Sequence, residues 1–286
     1  MTEQTLWFIF IGGELLLEQH ADETFSVPEG NEPPLTLPSE TTIHTVTAMD
    51  DGREVRTLSL PETSLQEPAQ HRSWKLCPLR KSYYKLKPEL YRKAGKCWEI
   101  VYWDSHNKYC GVCGHPLTPQ TDISKTCKHC GNEVWAQVVP AVIVRINRGD
   151  ELLLVRARNF RSHFFGLVAG FVETGEKLEE TVMREVKEET GISIKNLRYF
   201  DSQPWPFPCG MMVGFTAEYA SGELHLQSSE LAEGGWFDYR NLPTLPEKLS
   251  IARMLIDDFT ARMEQYLPHQ GQPPAPSLTE LKPAQH

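Results

Sequence analysis

Nowhere does this chain of 286 residues hold about eighteen consecutive apolar residues, which excludes a helical membrane span. The apolar start, MTEQTLWFIFIGGELLLEQ, lacks the basic lead of a signal peptide. Gly12-Gly13 between two apolar runs predicts a β-hairpin there instead. The final residues, PAQH, are no peroxisomal address. No internal repeat is visible. Basic residues are outnumbered, 29 against 38 acids, for a formal net charge of −9. Cysteine is sparse as well: seven in all, of which Cys77, Cys97 and Cys209 have no partner by spacing and read as ordinary residues.

What is present is concentrated in three segments. The first is Gly170 to Ile192, GFVETGEKLEETVMREVKEETGI. At helical spacing Leu178, Val182 and Val186 form one apolar stripe. Glu185, Glu188 and Glu189 then share an arc of roughly 100° bordering it. Carboxylates pressed against an apolar face repel one another and resist desolvation. A hard divalent cation such as Mg²⁺ or Mn²⁺ relieves both costs. Gly191 predicts the helix stop, and Gly175 lies in the loop that opens the helix. Arg184 stands where it can pair with Glu180 and Glu188. A Glu-rich face alone is usually just solvated, so the weight rests on the whole pattern, G-x5-E-x7-R-E-V-x-E-E-x-G-I.

The second segment is Ser202-Gln203-Pro204-Trp205-Pro206-Phe207-Pro208. Three prolines alternating with two aromatics preclude a helix or a central strand. They predict a stiff extended loop, either a packing loop or a rigid wall for a planar ring. The third is Cys110-x2-Cys113 and Cys127-x2-Cys130, thirteen residues apart, which is the spacing of a four-thiolate zinc site. Gly114 and Gly131 follow each pair where a knuckle turns. A redox dithiol is the alternative. Four thiolates complete a tetrahedral zinc, so His106, His115 and His129 are taken as non-ligands and the zinc as structural. Thiolate-bound zinc points to a reducing compartment, hence the cytoplasm.

Together these segments resemble the Nudix hydrolases, and within them the NADH pyrophosphatases, whose zinc ribbon precedes the Nudix box and whose SQPWPFP signature follows it. The resemblance covers roughly residues 106 to 255. It implies a loop-helix-loop on an αβα sandwich that cleaves a nucleoside diphosphate linked to another group, here NAD(H), into NMN(H) and AMP. Glu185 and Glu189 would be the principal Mg²⁺ or Mn²⁺ ligands, joined by Glu230 from outside the helix and the carbonyl of Ala169. Glu188 or Glu189 would deprotonate the attacking water, and Arg184 would hold the carboxylates. Phe171 would stack on a ring, and Gln203, Pro204, Trp205, Pro206, Phe207 and Pro208 would wall the site. The family pattern ends in any residue and then Ser. Here Cys209 and Gly210 stand there, so a hydroxyl is missing and Gly210 offers only its N–H. Asp122, Trp135 and Ala252 align with substrate contacts. Bland roles are open for each: a turn acid, a core ring and, for Glu230, a solvated loop acid. Relatives act on NAD caps of RNA and are homodimers, which implies both here. ADP-ribose hydrolysis, or an RNA-binding module that only senses nucleotide, are the rival functions.

The expected architecture is α/β. Residues 1–104 form an N-terminal domain with hairpins around 6–17 and 42–59, and 62–71 a polar linker within it. Residues 105–135 are the zinc ribbon, 136–268 the Nudix domain, and 269–286 a disordered tail. Strands are expected from Val138 through Phe171, near 195–201, 211–219 and 234–238, with a helix over 249–266. One composition shift is left over. His71 to Trp98 holds nine Lys and Arg against one acid, Glu89, interleaved with Trp74, Tyr83, Tyr84, Tyr91 and Trp98. It reads either as a solvated basic helix with core aromatics or as a surface that tracks RNA phosphates. Arg80 or Lys81 also stands where it could reach dinucleotide phosphates.

Overall fold

The computed structural model describes residues 5–65, 73–158 and 163–266. Part of the expected polar linker and all of the expected tail lie outside these. The chain divides into two compact units. Residues 1–138 and Pro204–Cys209 make the first, and Val139–Gln203 with 210–286 make the second.

In the first unit β1 (Thr5–Ile11) and β2 (Glu14–Gln19) form the expected hairpin, turned at Gly12 and Gly13, both at positive φ. Short strands β3 (Phe25–Ser26) and β4 (Glu29–Gly30) flank them. The second expected hairpin is β5 (His44–Val46) with β6 (Val55–Leu60), and β6 also runs parallel to β1. The seventh strand, β7 (Trp74–Cys77), pairs with β2. Every residue of β1 is buried, because both faces of this sheet are covered. Leu6, Phe8 and Phe10 face one core, to which helix α2 (Pro88–His106) brings Ala94, Cys97, Ile100 and Val101. Trp7, Ile9 and Ile11 face the other, under Leu35, Leu37 and Leu76. A short helix α1 (Leu79–Ser82) precedes α2. Cys77 and Cys97 are core residues.

After α2 comes a three-stranded ribbon of β8 (Leu117–Thr121), β9 (Ser124–Cys127) and β10 (Glu133–Trp135). Its link to α2 is a lysine. The Lys125 ammonium, almost fully buried, donates to the carbonyls of Asp104 (2.9 Å) and Asn107 (2.8 Å) and pairs with the Asp104 carboxylate at 2.7 Å. It thereby adds a donor to carbonyls at the end of the helix, where the Asp104 carbonyl otherwise accepts a long bond from Asn107 N–H (3.4 Å).

The second unit is an αβα sandwich. Its sheet has the order β14 (Ser193–Trp205), β15 (Gly210–Ser221), β11 (Val139–Arg148), β12 (Glu151–Ala157), β16 (Leu231–Asp238), with β13 (Val168–Phe171) also on β11. Side chains alternate along β11. Val142, Val144 and Ile146 face helix α3 (Leu178–Thr190) through Val182 and Val186, which are fully buried. Ile143 faces helix α4 (Ile251–Tyr266) through Leu255, Ile256 and Phe259. Burying each such aliphatic chain contributes about 1.5–3 kcal/mol, which fixes the face that α3 turns outward. No described helix is long and apolar enough to cross a membrane.

The segment expected to be a loop differs from expectation. Strand β14 continues through Ser202, Gln203, Pro204 and Trp205, and only residues 206–209 form the turn. An edge strand can hold a proline because half its N–H groups need no ladder partner, and β14 is an edge.

Candidate functional site

Helix α3 starts after Lys177, whose N–H is accepted by the Glu180 carboxylate at 2.9 Å. Glu180 is thus engaged in capping its own helix and does not meet Arg184, contrary to the spacing argument. Arg184 reaches back to Glu176 in the loop before the helix, with Nε–Oε1 2.6 Å and Nη2–Oε2 2.9 Å. Nη1 donates to Glu185 (2.9 Å) and Glu188 (3.1 Å), and Nη2 also to the Phe171 carbonyl (3.1 Å). These bonds occupy all the N–H groups a guanidinium has. Glu176 further accepts the Thr181 hydroxyl (2.8 Å) and the Glu173 N–H (3.0 Å). Arg184 heads the bonds that hold the Glu176 carboxyl down at about 2. Gly191 ends the helix in the left-handed conformation, at φ 72°.

The carboxylates differ sharply in surroundings. Glu188 is exposed at its tip. Glu185 and Glu189 are buried at 9% and 5% exposure. Burial raises the Glu185 carboxyl against the pull of Arg184, with Glu188 and Glu230 adding to the rise. Burial, then the charges of Glu185, Glu230 and Glu188, push Glu189 up to about 8. Among the described residues its carboxylate has no hydrogen-bond donor. Glu230 is near enough to act on both because its segment is tied to the helix end. His225 N–H donates to the Thr190 carbonyl (3.0 Å) and Gln227 N–H to the Glu189 carbonyl (2.8 Å), and Glu230 N–H turns back to Gln227 (3.1 Å). These donors are all carboxylate oxygens, buried at Glu185 and Glu189 and exposed at Glu188 and Glu230, a hard set that suits Mg²⁺ or Mn²⁺.

Gly170 in β13 lies against this cluster. A Cβ there would fall 2.0 Å from both the carboxyl carbon and Oε1 of Glu185. Beside it, Ala169 packs partly into the α4 core, and Phe171 is 66% exposed.

The four cysteines converge. Their sulfurs lie within 4.8 Å of one another, with Cys110–Cys130 at 3.7 Å and Cys113 at 3.4 Å from both Cys127 and Cys130. Tetrahedral zinc with bonds of about 2.3 Å places sulfurs about 3.8 Å apart, so the set fits. The two knuckles are built alike. Gly114 N–H returns to the Cys110 carbonyl and Gly131 N–H to that of Cys127, both at 2.9 Å, with the glycines at φ 74° and 75°. The Val112 N–H points at Cys110 Sγ and, with weaker bonds, lowers that thiol to about 6. His115 and His129 stack beside Cys113 at 3.8 Å, nearly parallel. One nitrogen of each ring lies within 4.8 Å of the other and of Cys113 Sγ, so these three side chains form a second candidate donor group that shares Cys113 with the first. Asp122 lies in the exposed turn between β8 and β9, and Trp135, 51% exposed, pairs with Ser124 across the same end of the ribbon.

At the hairpin tip Trp205 and Phe207 meet edge to face at 5.2 Å. The Arg80 guanidinium lies over both, 4.8 and 4.4 Å from the ring centres. Pro206 sits 3.0 Å from where a Cβ on Gly95 would be, and Phe207 packs on the α2 core. Gln203 is otherwise engaged: its amide donates to Leu249 O (2.8 Å) and accepts from Ile251 N–H (2.7 Å). It therefore fixes the start of α4, where Ala252 packs. One group escaped the sequence entirely. Glu99, midway along α2, is half-buried, and burial raises its carboxyl to about 7 against Lys96. It helps burial raise the Cys209 thiol. A lone acid in a helix carries no spacing signal that could have singled it out.

Comparison with known proteins finds two family models in this chain. Residues 137–259 match the NUDIX domain, and residues 4–103 match the NADH pyrophosphatase-like rudimentary NUDIX domain. The sequence is 42% identical over 183 residues to the NAD-capped RNA hydrolase NudC of Pectobacterium carotovorum, covering 64% of this chain and 70% of that one. It is 45% identical over 173 residues to the protein of the same name from Citrobacter koseri, covering 60% and 67%.

Proposed function

The chain belongs to the Nudix hydrolases, in the branch that carries an NADH pyrophosphatase-like N-terminal domain, and from this we propose that it hydrolyses the pyrophosphate of NAD(H) to NMN(H) and AMP. We extend the same activity to NAD caps at RNA 5′ ends, as the names of its relatives suggest. The observation that carries the choice of substrate is the Trp205–Phe207 tip with Arg80 laid across it, an aromatic surface with a cation beside it, suited to rings joined by phosphates.

Glu185, Glu189 and Glu230, with the Ala169 carbonyl, would hold Mg²⁺ or Mn²⁺. When bound, such ions polarise a phosphoryl oxygen and lower the pKa of a water to the neutral range. Glu189, buried and with no donor among the described residues, would take the proton from the attacking water, with Glu188 as the exposed alternative. Arg184 acts as a positioning residue, since its donors are all engaged by Glu176, Glu185, Glu188 and Phe171 O. Phe171 and Trp135 offer exposed ring faces for stacking. Asp122, Gln203 to Pro208, Cys209, Gly210 and Ala252 form the remaining substrate contacts, with Gln203 and Ala252 acting through the backbone at the start of α4. The four thiolates would hold a structural Zn²⁺. We assign residues 1–104 to the N-terminal domain, 105–135 to the ribbon and 136–268 to the catalytic domain. We also infer a homodimer and a cytoplasmic setting, the latter from the reduced thiol cluster.

The test is product identity. NADH incubated with the protein and Mn²⁺ should give NMNH and AMP in equal amounts, faster than ADP-ribose is cleaved. Preference for ADP-ribose would replace the substrate; no hydrolysis with either metal would remove the enzyme.

A further inference from the structure

Of the basic, aromatic stretch up to Trp98 only Arg80 enters the function above, yet within the first unit the residues that follow it adjoin the hairpin tip. Arg80, over Trp205 and Phe207, is where the two meet. Just beyond it, Tyr83 meets Tyr84 edge-on at 5.1 Å and Tyr91 at 5.3 Å. Tyr84 is 58% exposed. Lys81, Lys85, Lys87 and Arg92 are exposed around these rings, and Glu89 is the sole acid among them.

The stretch is not uniform. Lys93 and Lys96 turn to the other side, donating to Thr47 and Ala48, and Trp98 packs on the core. That half is the solvated basic helix with core aromatics. The other half, Arg80 to Arg92, keeps its cations exposed, with Lys85 resting over the Phe25 ring. Cations alone would make only a solvated face. Cations interleaved with linked rings, starting at the surface that takes the cap, make a path for a strand whose bases stack and whose phosphates pair.

We propose that the surface from Lys81 to Arg92, beyond Arg80, is a track for the single-stranded RNA that follows an NAD cap, with Tyr84 as a stacking platform and Lys85 and Lys87 as phosphate contacts. The proposal rests on the capped-RNA part of the function above. It separates the two substrates: NAD ends at the cap and does not reach the track.

The full chain is compared with Tyr84→Ala, Tyr84→Phe and the double variant Lys85→Gln/Lys87→Gln, on NAD and on an NAD-capped RNA oligonucleotide across a salt series. Turnover of NAD should be unchanged in all three. On capped RNA, Tyr84→Ala should lower kcat/KM at least about 5-fold through lost stacking, with Tyr84→Phe restoring it. The double variant should flatten the dependence of log kcat/KM on log salt by about 1.4, from two contacts at about 0.7 each. Equal losses on both substrates, or none on capped RNA, overturn the track while leaving the function intact. Wild-type protein that cleaves NAD but leaves capped RNA untouched overturns the track and the capped-RNA function together.

Discussion

At Gly170 a hydrogen atom stands where any other residue would put carbon into the Glu185 carboxylate, 2.0 Å away. Gly170→Ala should therefore displace Glu185. A misplacement near 1 Å can cost about 100-fold in rate, and a loss of that order is expected in kcat for NADH. Glu189→Gln keeps the shape and removes the charge; turnover should fall by orders of magnitude while circular dichroism is unchanged. The same residue predicts a pH effect. Its carboxyl titrates at about 8 in the fold and about 4.3 unfolded, so the folded state holds the proton more tightly. With chelator present, the Tm should fall as pH rises from about 4.5 toward 8, and Glu189→Gln should lessen that slope. Added Mn²⁺ should raise the Tm more at pH 8 than at pH 5. Glu185, Glu188 and Glu189 were legible in the sequence because a single helix spaces them. The anchor of Arg184 was not. A helical wheel offered Glu180 and Glu188; Glu188 does pair with it, but the two-bond partner, Glu176, lies in the loop before the helix, where the wheel does not apply.

Among the elements, strands and helices were legible wherever the apolar period was clean, as in β11, β12 and α3. Strand β14 was misjudged past Ser202 because its prolines read as loop, and edge position is a property of the sheet that no local window reveals. The ribbon was legible from its cysteines, but its attachment to α2 was not, since Lys125 looks like any exposed lysine between Ser124 and Thr126. Removing one partner of a buried ion pair typically costs about 3–5 kcal/mol. Lys125→Met should lower unfolding stability by that order, measured in urea. Its partner Asp104 gives the pH window. Burial would raise that carboxyl, but the bonds from His44 and Lys125 outweigh it and hold it at about 2. The pair's contribution is complete above about pH 4 and is lost as pH falls through 2. The gap in stability between wild type and Lys125→Met should narrow over that interval.

For the whole molecule, two kinds of donor set divide the metal chemistry: four sulfurs in the first unit, carboxylate oxygens in the second. Zinc analysis should find one ion per chain held by the four-sulfur cluster. Cys113→Ser should lower that content and the Tm, whereas Glu189→Gln should leave zinc unchanged. The strap that ties residues 225 and 227 to the last carbonyls of α3 has a further consequence. It sets the position of Glu230 relative to the last turn of the helix, across a long excursion in sequence through β14 and β15. Glu230 is therefore not a free addition to the helix but is delivered in register by its backbone. An engineer who transplanted Gly170–Ile192 alone into a foreign scaffold would move the helix carboxylates and leave Glu230 behind. A transplant that keeps Glu230 in place has to carry residues 225–230, with their bonds to the Glu189 and Thr190 carbonyls, along with the helix.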